Sequence, residues 1–158
     1  MAKLLIVGGF PENAAEAETV REFVRALARE VVAEKHVLLG GCQTELDHVA
    51  AEAAEAAAME TGRALVECII SYCGKGAAPV HALGSVRESA LPRWDIIGPR
   101  LVYPEPIKLA DAVVLVAGWE GTHRAANWAR IASKPLLPVA TFRLAAAEIY
   151  GSELVDCP

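Results

Sequence analysis

Three glycine-containing turns hold the residues of this sequence best suited to chemistry. The first, Gly8-Gly9-Phe10, lets a ligand approach the backbone with no Cβ in the way. The second, Gly40-Gly41-Cys42-Gln43-Thr44-Glu45, precedes a helix start, where backbone N–H groups and the helix dipole suit a phosphate or another anion. The third, Gly118-Trp119-Glu120-Gly121-Thr122, gathers two glycines, an indole, a carboxylate and a hydroxyl. Arg124 and Asn127 follow it on the same helix face, the first suited to a phosphate and the second to a base or ribose. The expected ligand contacts are therefore Gly8, Gly9, Phe10, Gly40, Gly41, Thr44, Glu45, Gly118, Trp119, Glu120, Gly121, Thr122, Arg124 and Asn127. If the protein is an enzyme, Glu120 is the candidate catalytic group. His123 has no serine, cysteine or acid placed by the sequence to complete a triad with it.

Turns of this kind need strands to present them. Lys3 to Val7 is a short apolar run stopped by glycines, as a strand buried on both faces is. Pro11 and Asn13 open a helix in which Val20, Phe23, Val24, Leu27, Val31 and Val32 recur at helical spacing, while Arg21, Arg25, Arg29 and Glu30 stay in water. His36 to Gly41 repeats the strand-and-glycine pattern, and Thr44 with Asp47 forms a capping-box signature for a helix running to about Met59. Ala64 to Tyr72 reads as a third strand. Gly74 to Arg100 reads as a long loop with one helical turn at most, carrying Lys75, His81, Arg87, Arg93 and Trp94, a mixture that suits either a lid over a phosphate and base or a plain excursion with solvated charges. Leu101 to Tyr103, a short helix at Ile107 to Ala110, the strand Ala112 to Ala117, a helix from Thr122 to Ala132, the strand Leu136 to Ala140 and a helix from Arg143 to about Gly151 complete the alternation. The expectation is an α/β Rossmann-like, doubly wound parallel sheet of about five strands with helices on both faces. Trp128 is expected to pack in a core or an interface rather than on a ligand.

At 158 residues the chain fits one domain, with 1–158 as a single nucleotide-binding unit that either stands alone or belongs to a larger parent. Its net charge of −5 is spread over several helices, with no Lys/Arg cluster interleaved with aromatics, so nucleic acid is not an expected partner. Cys42, Cys68, Cys73 and Cys157 lack metal-ligand spacing and are read as reduced and structural; no metal and no cofactor is expected. Neither a signal-peptide core nor a membrane-length apolar run is present, which points to a cytoplasmic protein with no membrane partner.

VLLGGCQTELDHVAAEAA followed by GRALVECIISY resembles the strand, glycine turn, helix and strand passage of the SLOG/LOG-like superfamily, which holds the cytokinin-activating phosphoribohydrolases and SLOG nucleotide-sensor domains. ADAVVLVAGWEGT resembles that family's segment ending in Pro-Gly-Gly-x-Gly-Thr, the more specific match. Nucleoside deoxyribosyltransferases and TIR domains share the broad architecture. In the hydrolases a catalytic glutamate follows the Gly-Thr after two residues, and here that position is Ala125. Alanine can neither stabilise an oxocarbenium-like transition state nor act as a nucleophile. The resemblance therefore implies a homo-oligomeric sensor module that binds a nucleotide-derived signal such as NAD or ADP-ribose, as in bacterial antiphage systems. One alternative is an N-glycosidase acting on NAD or a nucleoside or nucleotide, with Glu120 or Glu45 supplying the carboxylate. The other is a structural oligomerisation domain.

Overall fold

The computed structural model describes residues 1–11, 13, 15–89 and 104–156, the last four as backbone only. Six strands alternate with helices: β1 (Lys3–Gly9), α1 (Ala17–Ala33), β2 (Val37–Gly40), α2 (Glu45–Thr61), α3 (Leu65–Cys68), β3 (Ile69–Gly74), β4 (Ser85–Ser89), α4 (Glu105–Leu109), β5 (Ala112–Ala117), α5 (Glu120–Ile131), β6 (Leu136–Val139) and α6 (Ala145–Asp156). The strands form one parallel sheet in the order β4-β3-β2-β1-β5-β6.

Successive strand residues face opposite sides, so each central strand feeds two cores. Ile6, Leu38, Val114 and Val116 pack with α1 and α2, whereas Leu5, Leu39, Val113 and Leu115 pack with α4, α5 and α6. Each fully buried Leu, Ile or Val contributes roughly 1.5–3 kcal/mol. The buried alanines of α2, among them Ala50, Ala54 and Ala57, let that helix lie close against α1 and the sheet together.

Where the sequence reading differs, the reasons are local. The sheet has six strands rather than five, because β4 lies inside the stretch expected to be loop. Its sequence SVRES is mostly polar, which an edge strand tolerates and which hides the strand from an apolar pattern. The third strand starts at Ile69, after a helical turn that the continuous apolar run did not distinguish from strand. Arg63 fixes that turn by donating from Nη1 to the carbonyls of Val32 at 2.7 Å and His36 at 3.3 Å. The first helix begins at Ala17 rather than near Pro11 and Asn13, and the last runs from Ala145 through Gly151 to Asp156. The readings on Arg93, Trp94, Leu101–Tyr103 and Cys157 lie outside the described residues. Among the described residues no helix is long and apolar enough to cross a membrane.

Candidate functional site

The chain leaves β1 toward β2 on one side, while β5 pairs with β1 on the other, so the connections diverge between β1 and β5 and open a crevice at their carboxyl ends. A cleft of about 640 Å³ occupies this place. All three glycine turns reach it: of the expected contacts, every one except Gly118, Glu120 and Asn127 lines its wall.

The first turn is set by close backbone approach. A Cβ at Gly8 would overlap the Val116 carbonyl, and one at Gly9 would press on the Trp119 ring at 2.9 Å. Trp119, half exposed, thus lies over Gly9. Phe10 is buried beneath the Arg21 guanidinium, 5.1 Å above its ring centre, and Arg21 Nε donates to Glu45 Oε1 at 2.6 Å. Arg21 therefore ties the first turn to the second.

The second turn is already filled by its own helix. Asp47, third residue of α2, accepts backbone hydrogen bonds from Gly41 at 3.1 Å, Gln43 at 3.2 Å and Thr44 at 3.0 Å. Its own N–H donates to Thr44 Oγ1 at 3.1 Å, completing the capping box. The donors that suit a phosphate at this turn are thus satisfied by an internal carboxylate.

The third turn differs. Ala117 (φ 48°) and Gly118 (φ 81°) are consecutive left-handed residues, a conformation that costs an alanine about 1 kcal/mol or more. A Cβ at Gly118 would overlap Thr122 Oγ1, so only glycine fits; Gly118 lies under the turn, donating to Gly9 O at 2.7 Å. Helix α5 starts at Glu120, two residues before the expected Thr122, and its N-cap Trp119 supplies no side-chain cap. Glu120 is thus the first residue of α5, but it is exposed, pairs with Arg124 and does not line the cleft. Asn127 is exposed and accepts from Arg130 Nη1 at 3.0 Å. His123 lies 3.0 Å from Glu148.

The cleft is electrostatically lopsided. Glu45 and Asp47 line its α2 side, and Arg124 is the one basic side chain among its described lining residues. Ala125 also lines the wall, at the position where the resemblance implies a glutamate. Between these ends the surface is apolar, with Val7, Ile107 and the buried Trp128. Trp128 thus packs in the core beneath α5 and meets the cleft as well. Sequence reasoning missed Tyr72, Gly74 and Ser89, which arrive from β3 and β4, and Pro104, Pro106 and Ile107 at α4. The strand alternation that puts Tyr72 on the face of Leu39 was the available signal. Burial raises the Tyr72 pKa, with the Arg87 guanidinium partly opposing. Among the described residues, no three or more His, Cys, Asp or Glu side chains converge as a metal site.

No protein-family model and no curated protein matches the chain. Solved structures do. The structural-genomics target TM1055 is 17% identical, with 94% of this chain and 80% of that one covered and a TM-score of 0.69. The Moco carrier protein from Chlamydomonas reinhardtii is 18% identical over 96% of this chain and 83% of its own, with a TM-score of 0.66. DNA processing protein A from Helicobacter pylori is 17% identical over 85% and 63%, with a TM-score of 0.56, and its structure describes a single-stranded DNA binding mode. That last neighbour corrects the expectation that excluded nucleic acid. Net charge sums over a whole surface, whereas a single strand is held by a local groove and stacking groups, so −5 overall does not exclude it. At such identities the likeness shows the fold alone: this chain shares a Rossmann-like α/β fold with these structures.

Proposed function

We propose that the cleft binds a nucleotide-derived small molecule of the NAD or ADP-ribose type, and that the protein acts as a binding module rather than a glycosidase. The observation that carries this reading is the glycine-walled cleft of about 640 Å³ at the β1/β5 divergence, within the roughly 300–1,000 Å³ range of small-molecule sites. At Gly40 and Gly121 no atom lies within 4 Å of where a Cβ would stand, so a ligand can approach bare backbone there. Trp119 offers an indole for stacking, and Arg124 offers a guanidinium for a phosphate. Binding without turnover is favoured by Ala125 in the wall and by the outward pairing of Glu120 with Arg124. One neighbour of the same fold, solved more than once, is by name a carrier of the molybdenum cofactor, which supports binding as a use of this scaffold.

The test is incubation of the pure protein with NAD, ADP-ribose and nucleoside monophosphates, following melting temperature and chromatographic product together. The expected result is a melting shift without product. In Arg124→Ala affinity falls about tenfold, the loss of one charge-assisted contact, while the unliganded melting temperature holds. Released nicotinamide or free base overturns the reading, as does the absence of a shift with every nucleotide.

A further inference from the structure

Behind the α2 side of the cleft wall, two thiols meet under a short exposed segment. Cys73 belongs to β3, and Cys42 lies two residues past the end of β2. These strands are parallel neighbours in which Gly40 pairs with Ser71, so a step of two along each brings residue 42 to the level of residue 73. Neighbouring strands lie about 4.7–4.9 Å apart, inside the roughly 4.4–6.8 Å of Cα separation that a disulfide spans. The side chains point to one place: Gln43 Nε2 lies 3.8 Å from Cys42 Sγ and 3.2 Å from Cys73 Sγ. Both thiols are buried and free. Burial, with the contact of the Cys73 thiol second, pushes the Cys42 thiol up to about 11.

The cover over this pair is thin. Lys75 to Val80 is exposed throughout, and a few hydrogen bonds hold it down: Lys75 N–H to Ser89 O at 3.1 Å, Val80 N–H to Cys42 O at 2.9 Å, Gln43 Nε2 to Ala78 O at 3.0 Å, and the Cys73 thiol to Ala77 O at 3.1 Å. Segments tied by so few contacts open locally at small free-energy cost. The flanking residues Gly41, Tyr72 and Gly74 all line the cleft, so a bond between the two sulfurs acts on its wall.

We propose that Cys42 and Cys73 are a redox pair that closes to an intramolecular disulfide when a low-molecular-weight disulfide reaches them, and that closure weakens ligand binding in the cleft. One thiolate attacks the small disulfide, forming a mixed disulfide and expelling one small thiolate. The second protein thiolate then attacks the protein sulfur of that mixed disulfide and expels the other. In sum the protein loses two protons and two electrons, and the small disulfide takes them up to become two thiols. Burial keeps the Cys42 thiol protonated at neutral pH, so it is a slow nucleophile while covered. Oxidation is therefore slow until the 75–80 segment opens, and it quickens as pH rises.

The experiment treats the reduced full chain with excess oxidised glutathione at pH 8, then alkylates it in denaturant. The expected product is lighter by two hydrogens, retains two of its four alkylatable thiols, maps to a Cys42–Cys73 peptide and reverts with dithiothreitol. Cys42→Ser and Cys73→Ser instead stop at a glutathione adduct or stay unmodified. Four free thiols in the oxidised wild type, an adduct only, or a bridge to Cys157 overturns the pair. The effect on binding rests on the proposed nucleotide site, and NAD and ADP-ribose are its probes. Affinity about tenfold weaker in the oxidised form is expected, and equal affinity in both forms overturns the coupling. Failure of the reduced protein to bind either probe defeats the nucleotide reading, while the mass and peptide readouts still decide the disulfide.

Discussion

The two helices that aim their amino ends at the cleft, α2 and α5, solve the same chemical problem in opposite ways. Each begins with backbone N–H groups that have no intrahelical acceptor. At α2 the chain supplies the acceptor itself: Asp47 takes three amides, Thr44 caps, and Glu45 is held by Arg21. At α5 no side chain caps the helix, and the turn before it runs through two left-handed residues to an exposed indole and an arginine. The α2 end is built for stability and the α5 end for access. In the proposed complex the ligand's negative charge lies toward Arg124, because the α2 side presents carboxylates.

The substitution with the largest expected effect tests the backbone of the α5 turn. Gly118→Ala adds a Cβ at φ 81° that overlaps Thr122 Oγ1, and it is expected to cost about 3 kcal/mol in a urea unfolding series. Gly121→Ala, three residues on and with open space around it, is expected to leave stability unchanged or raise it by up to about 1 kcal/mol. Equal losses in the two would erase the distinction between a packed turn and an open one. On the other side, Asp47→Ala removes the acceptor of three amides and is expected to cost about 2 kcal/mol. It should also create an anion site, read as a melting shift with millimolar inorganic phosphate that the wild type lacks. A mutant that ignores phosphate would show that the α2 end is not a filled anion cradle.

The smallest expected effect lies beside α2, where His81 packs against His48. His81 is buried with neither ring nitrogen hydrogen-bonded to a described residue, and its ring sits 5.4 Å from that of His48, whose Nε2 lies 3.1 Å from Glu52. Burial lowers the His81 pKa; His48 acts in the same direction, while Asp47 and Glu52 oppose. A histidine with a depressed folded pKa binds fewer protons folded than unfolded. Its contribution is therefore present above the unfolded value of about 6.5 and lost as pH falls through the folded one. Melting temperature should drop between pH 7.5 and 5.5, and His81→Leu should lessen that drop. A slope unchanged in the mutant would assign the acid sensitivity to other groups.

Much of this contrast was legible beforehand, and the remainder was hidden for physical reasons. Strand β5 reads directly from Ala112 to Ala117, since an unbroken apolar run ending in glycine has few other solutions. The Thr44–Asp47 spacing announced its own cap. What the linear pattern did not disclose is that the same aspartate also folds back on Gly41 and Gln43, because that depends on a turn conformation rather than on residue type. Glu120 was singled out for its neighbours in the chain, yet one residue of helical phase, about 100°, separates a wall residue such as Gly121 from one outside the wall. Strand β4 was missed because an edge strand needs only one partner and few apolar residues.

The central place of β1 has a consequence for how the chain reaches this structure. Lys3 and Asp111, 108 residues apart, exchange hydrogen bonds: the Lys3 N–H donates to Asp111 Oδ2 at 2.7 Å, and the Asp111 N–H to Lys3 O at 2.8 Å. During synthesis β1 can pair with β2 early, but its other edge stays open until β5 has been made. Such a long-range pairing slows folding, and for that interval an apolar strand offers unpaired backbone to any other nascent chain. Of the two edges of β1, the later to close is the one along which the cleft opens, so a protein trapped before β5 docks would lack the proposed ligand site while already holding four of its six strands.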